Sequence, residues 1–194
     1  MKKCISILCL QLCMLCCFSQ IQVEEIFCET LTNPIGLDIP QPAFSWKLAS
    51  TIRNTMQTAY EIRASESISD LAKSKNLTWN SGKMLTDQST HIFYAGNPLL
   101  SAKKYYWQVR VWDNHGKVST WSQPAYWQMG LLKQEDWKAK WIQAASEEDT
   151  LLRPSPLFRK TFTANKKIQS ASLFITSHGL YESFINGLRI GEAY

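Results

Sequence analysis

The chain has 194 residues, a formal net charge of +5, 45% hydrophobic and 12% aromatic residues, and eight Trp. That much apolar and ring surface can fill one or two packed cores, which excludes an intrinsically disordered chain. Removing Lys2 and Lys3 with an N-terminal leader lowers the charge by two, and the other cations are spread along the chain, which excludes a nucleic-acid footprint.

The first element is that leader. Met1-Lys2-Lys3 supplies positive charge, Cys4 to Phe18 is apolar, and Cys17 and Ser19 are small residues suited to cleavage after Ser19. The apolar run is too short to stay in a bilayer as a span. Residues 1–19 are therefore expected to be a signal peptide and the mature chain to be exported to the periplasm or beyond. A lipid anchor is the alternative reading, because five of the six cysteines lie in this segment. Cys28 alone survives cleavage, so no intrachain disulfide is expected, and Cys28 reads as a buried apolar residue on a first strand.

Ile26 to Leu31 reads as that strand. Asn33-Pro34-Ile35-Gly36 reads as a turn, and Phe44 to Leu48 as a short strand. Gln57 to Ala64 alternates, with Tyr60, Ile62 and Ala64 on one face and Ala59, Glu61 and Arg63 on the other. Ser67 to Lys73 suits one or two helical turns with Ser67 as N-cap. Trp79-Asn80-Ser81-Gly82 and Gly96-Asn97-Pro98 read as turns flanking a short strand at His91 to Tyr94. The longest strand runs from Lys104 to Asp113, with Tyr105, Trp107, Val109 and Val111 on one face and Tyr106, Gln108, Arg110 and Trp112 on the other. Asp113-Asn114-His115-Gly116 is a turn cluster. Ala125 to Leu131 closes the series.

About seven short strands separated by turns predict an all-β fold, a fibronectin type III-like β-sandwich over residues 20–132. The Cys–Trp–Cys pattern of antibody-type immunoglobulin domains is missing, which favours the fibronectin-like version. New material begins near Asp136-Trp137. Residues 133–194 read as the first strands of a second, incomplete β-sandwich: Pro156 to Phe162, Ile168 to Thr176 and Leu180 to Ile185. Asn186-Gly187 then marks a two-residue type I′ turn. A hairpin without further partners is marginal in water, so this half is expected to be protease-sensitive by itself.

No constellation of catalytic residues stands out. Glu147-Glu148-Asp149 reads as a solvated loop, since adjacent carboxylates diverge rather than converge. His91, His115 and His178 have no companion at metal spacing, and no Gly-x-Ser-x-Gly elbow occurs. No metal and no cofactor are expected. Trp121, Trp127, Trp137 and Trp141 are the candidate carbohydrate contacts, because sugars stack C–H faces on flat rings. Packing is the competing reading for each, and Trp137 and Trp141 are spaced by one helical turn at the junction of the two modules.

Several phrases in order carry a family resemblance. They are Asn33-Pro34-Ile35-Gly36-Leu37-Asp38, Phe44-Ser45-Trp46, Gln57-Thr58-Ala59-Tyr60-Glu61-Ile62, Trp79-Asn80-Ser81-Gly82-Lys83, Tyr106 to Asp113, Trp121-Ser122, Asp136 to Ile142, Ser177 to Tyr181 and Ile185-Asn186-Gly187. In that order they resemble the start of a bacterial α-L-rhamnosidase of glycoside hydrolase family 78. The resemblance implies a fibronectin-like domain, further β-sandwiches, and an (α/α)₆ barrel that hydrolyses terminal α-L-rhamnose with an acid and a base. No part of this chain reads as that barrel, so no catalytic residue is carried over. The expected role is the N-terminal accessory part of an exported rhamnosidase, with rhamnose-containing glycans reached through the missing region and neither nucleic acid nor a stable membrane span as partner. A non-catalytic carbohydrate-binding or spacer protein, and a truncated gene product, are the alternatives. The sequon Asn76-Leu77-Thr78 is set aside, because the resemblance is to a bacterial exported protein.

Overall fold

The computed structural model describes residues 21–145, 151, 155–168 and 170–191. The expected leader and the acidic run Glu147-Glu148-Asp149 lie outside these. The chain divides into two compact units, the first ending at Asp136 and the second beginning at Trp137.

The first unit is a sandwich of two sheets. One has three strands in the order β1-β3-β6: β1 (Ile21–Cys28), β3 (Ala43–Ser50) and β6 (Ile92–Phe93), all antiparallel. The other has five in the order β2-β8-β7-β4-β5. Its members are β2 (Ile35–Leu37), β4 (Gln57–Ser65), β5 (Leu77–Asn80), β7 (Lys104–Asp113) and β8 (Ala125–Met129). All its pairs are antiparallel except β2, which runs parallel to β8. The all-β sandwich is thus as expected, with eight strands among the described residues of this unit against about seven read from the sequence.

Alternation explains β7. Tyr105, Trp107, Val109 and Val111 are buried between the sheets, while Tyr106, Arg110 and Trp112 are half-buried on the outer face. The strand has the bounds read from its period of two. Helix α1 (Ile68–Lys73) starts where Ser67 accepts a hydrogen bond from the Asp70 N–H, satisfying one of the orphan donors of the first turn. Ser74 ends it in the left-handed region at φ 53°.

Four local readings are corrected. The first strand begins at Ile21 and ends at Cys28; a register shift between Val23 and Glu25 breaks the alternation that would have revealed its start. Leu31 belongs to a tight turn, since Glu29 and Thr30 both have positive φ and Leu31 bridges back to Cys28. Ile35, expected in a turn, opens β2; Asn33 precedes it at φ 52°, with its Oδ1 accepting from the Tyr126 N–H at 2.9 Å. Trp79, also expected in a turn, is buried in β5, and the turn comes after it. The last strand stops at Met129 rather than Leu131.

The core is built from rings. Phe44 lies 4.4 Å from Trp107, 5.2 Å from Trp127 and 5.7 Å from Trp79, centroid to centroid. Trp127 stacks on Tyr105 at 5.2 Å and 22°. Each such pair adds about 0.5–1.5 kcal/mol beyond its area burial. Trp46 keeps its polar end satisfied by donating from Nε1 to Gln57 Oε1 at 2.9 Å. Tyr105, near the start of β7, accepts from the Leu100 N–H at 2.9 Å through its hydroxyl. This is a tyrosine corner, the bond that ties the loop before a long strand to that strand in immunoglobulin-like sandwiches. Gly96 marks a close approach: a Cβ there would sit 2.5 Å from Thr78 O and 2.6 Å from the Trp79 Cβ, so no side chain fits.

Cys28 is buried, and burial pushes its thiol well above the ordinary value of 9.0. Burial likewise raises the hydroxyls of Tyr60, Tyr94 and Tyr105 above 10.0. The unfolded chain releases these protons at the ordinary values, whereas the folded chain holds them. The stability they contribute is therefore complete below pH 9 and is lost as pH rises beyond it. Thermal midpoints measured from about pH 8 to about pH 11 should fall, with Cys28→Ala reducing the loss just above pH 9. A midpoint that stays level over that interval contradicts the buried-proton account.

The second unit contains a hairpin of β9 (Ser183–Ile185) and β10 (Leu188–Ile190), with Ile185 opposite Leu188. Asn186 (φ 51°) and Gly187 (φ 80°) both take the positive φ that a type I′ turn demands. The expected strands at Pro156 to Phe162 and Ile168 to Thr176 do not form among the described residues. A strand is defined by its ladder partner, not by its own period, and these stretches have none there. Among the described residues, no helix is long and apolar enough to cross a membrane.

Candidate carbohydrate-contact site

A sugar platform needs an accessible ring face. Trp127 has none. It is 0% exposed, with Phe44, Tyr94 and Tyr105 packed around its ring. It is a core residue, and its candidacy is withdrawn. Alternation along β8 groups Trp127 with Ala125 and Met129, and the opposing sheet makes that face the interior.

Trp121 lies in the segment before β8 and is half-buried. Its ring is engaged by two cations, with the guanidinium carbon of Arg63 4.0 Å and that of Arg110 4.7 Å from the centroid. The array continues: Arg110 is also 5.1 Å from the ring of Trp112, over which Lys83 Nζ sits at 4.6 Å. At the other end of the face, Lys104 Nζ lies 4.3 Å from the ring of Tyr126, and Tyr126 meets Tyr106 edge-on at 6.3 Å. Each exposed cation–ring contact contributes about 0.5–1 kcal/mol, and more where water is excluded.

The strands position these groups. Glu61 on β4 stands opposite Arg110 on β7, and Arg63 opposite Gln108. Arg110 donates to Glu61 Oε2 from Nη2 at 2.6 Å and from Nε at 2.8 Å. Arg63, only 8% exposed, donates to Gln108 Oε1 at 2.9 Å and to Ser74 at the end of α1. Gln108 passes the network on by donating to the Ser122 carbonyl at 2.7 Å. Burial, then the neighbouring Arg110, hold the Arg63 pKa below its ordinary value, with Glu61 opposing. The sequence placed these residues on the outer face. What it did not reveal is the cross-strand register that turns them into one network.

Trp137 and Trp141 belong to the second unit and are 38% and 65% exposed. No helix runs through them, so their spacing of four is not a helical turn. Trp141 stacks on His178 at 4.2 Å and 17°, leaving the opposite face of a largely exposed ring.

The described recess does not have the form of an acid–base pair for glycoside cleavage. The open recess of about 320 Å³ at one end of the first sandwich is lined by Ile21, Leu48, Met56, Gln57 and a single carboxylate, Asp87. Inverting cleavage needs two carboxyl groups flanking the bond. Among the described residues, no group of three or more His, Cys, Asp and Glu could hold a metal ion.

Residues 23–133 match the family described as the Rha78A-like N-terminal immunoglobulin domain. The chain belongs to this family. The α-L-rhamnosidase of Formosa agariphila is 31% identical over 194 residues, covering 90% of this chain and 20% of that protein. Two solved structures are also similar. The α-L-rhamnosidase from Dictyoglumus thermophilum has a TM-score of 0.63 at 36% identity, over 66% of this chain and 14% of that one. The Streptomyces avermitilis α-L-rhamnosidase complexed with L-rhamnose has a TM-score of 0.61 at 40% identity, over 64% and 12%. The chain thus spans about a fifth of the length of the curated relatives it matches. As a Rha78A-like immunoglobulin domain, the first unit holds its sandwich together with the ring core and tyrosine corner, where antibody domains use a disulfide.

Proposed function

We propose that this chain is the N-terminal accessory part of an exported enzyme that removes terminal α-L-rhamnose from glycans or glycosides, and that the cleaving groups belong to polypeptide beyond these residues. The match of residues 23–133 to an N-terminal domain of Rha78A-like proteins carries the reading. The ring core and the cross-strand arginine network support a scaffold rather than a catalyst. The charged, apolar and small-residue regions of residues 1–19 support export. Trp141, with one open ring face, and Trp137 are the proposed carbohydrate contacts within the chain.

The test is an assay of the chain with a chromogenic α-L-rhamnoside. No turnover is expected, and turnover would locate an acid–base pair inside these residues and overturn the proposal. Reading the genomic DNA past the Tyr194 codon tests membership separately. Coding for paired amphipathic helices, in the same frame or a shifted one, supports the accessory role.

A further inference from the structure

The outer face of the five-stranded sheet carries an imbalance of charge that the fold does not use up. Strands β4, β5, β7 and β8 hold two carboxylates, Glu61 and Asp113. Asp113 is 2% exposed and accepts from the His115 and Lys117 N–H groups in the turn that follows β7. Glu61 is bound to Arg110. Against that one surface carboxylate stand Arg63, Arg110 and Lys104 on the strands and Lys83 in the segment after β5, each with its cationic group on an aromatic ring of the same face, while Glu66, just past β4, is bound to Lys103.

The four cations are not equivalent. The arginines sit in the middle, with their donors turned to Ser74, Gln108 and Glu61. They brace the sheet and contribute field rather than free donors. The lysines sit at the two ends, Lys104 over Tyr126 and Lys83 over Trp112. An ammonium resting on a ring still directs hydrogens outward. Tyr126 pairs with Tyr106, and Trp112 lies six residues further along β7. At the rise of a strand that separates the two ammonium groups by about 20 Å. A small anion reaches only one of them. A linear chain bearing repeated negative charges reaches both and crosses half-buried rings between them.

We propose that this face of the first unit binds an acidic polysaccharide, a linear glycan bearing carboxylates, through Lys83 and Lys104. The choice of a glycan over an acidic peptide rests on reading the chain as part of a glycan-degrading enzyme, and on the rings that line the path. The attraction is between exposed charges, so salt screens it.

The experiment is affinity electrophoresis of the chain in gels containing polygalacturonate, with dextran as the neutral glycan and poly-L-glutamate as the acidic peptide. Retardation by polygalacturonate is expected. It should weaken about tenfold between about 20 mM and about 200 mM salt, and about tenfold in the double variant Lys83→Gln, Lys104→Gln at low salt. The variant gives up the cation–ring contacts of Lys83 and Lys104, so its thermal midpoint should fall slightly; binding is compared well below both midpoints, where matching circular dichroism of parent and variant makes the comparison one of binding. No retardation by polygalacturonate, or equal retardation of parent and variant, overturns the proposal. Equal binding to poly-L-glutamate or dextran overturns the assignment to an acidic glycan. The rhamnoside assay is unaffected by either result, so the two readings fail separately.

Discussion

Phe44→Ala should lower the unfolding free energy of the first unit by about 3–5 kcal/mol, the cost of emptying an aromatic site that cannot collapse. The site is closed by three tryptophans, at 4.4, 5.2 and 5.7 Å from the Phe44 ring, drawn from β7, β8 and β5. Phe44 itself is on β3 and completely buried. It is thus the point at which the three-stranded sheet holds the five-stranded one. Large rings in a layered core relax little, so the void persists and the surrounding indoles lose contacts outright. A domain whose whole stability is about 5–15 kcal/mol would lose much of it. Phe44→Leu should cost markedly less, because it returns most of the volume. Urea titration followed by near-ultraviolet circular dichroism of the core rings checks both. A Phe44→Ala loss under about 1 kcal/mol would show that the sheets are held by something other than this cluster.

The second large effect is expected at Arg63. Arg63→Met preserves the apolar stem but deletes the charged hydrogen bonds to Gln108 and Ser74 and the contact with Trp121. Bonds to charged groups contribute about 1.5–3 kcal/mol, and a buried partner left unpaired adds to the loss. Gln108 is buried and would have an unpaired Oε1. The expected destabilisation is therefore about 1.5–3 kcal/mol. Arg63→Lys should recover only part of it, because an ammonium cannot present two donors in the plane of a fork. A cycle with Trp121→Phe separates the ring contact from the hydrogen bonds. Arg63→Met with parental stability would mean that solvent replaces the network at no cost.

These two sites differ in how far they could be read beforehand. Strict alternation over ten residues groups Trp107 with Tyr105, Val109 and Val111 on one face of β7, and the opposing sheet makes that face the buried one. Asn186-Gly187 was assigned its turn because both φ values must be positive, and those two residues tolerate that. Ser67 was assigned its cap by side-chain chemistry alone. Trp121 and Trp127 look alike in sequence, six residues apart and both flanked by polar residues. One is core and the other lies on the outer face: the pairing of β8 with β7 fixes the direction of Trp127, whereas Trp121 lies before β8 with its ring against Arg63 and Arg110. The arginine network escaped for the same reason: Glu61 and Arg110 are 49 residues apart, and nothing local says that they face each other.

Local chemistry by itself settled the all-β character of the first unit, the Asn186-Gly187 turn, the Ser67 helix cap and the family phrases, since each depends on a few adjacent residues obeying torsional and periodic constraints. The tertiary structure alone decided which aromatic rings are buried, that β2 leaves the first sheet to pair with β8, and that cations and indoles assemble into one face. Those outcomes depend on register between distant strands. Register is chosen by the summed burial of whole faces, and no short stretch of sequence contains that sum.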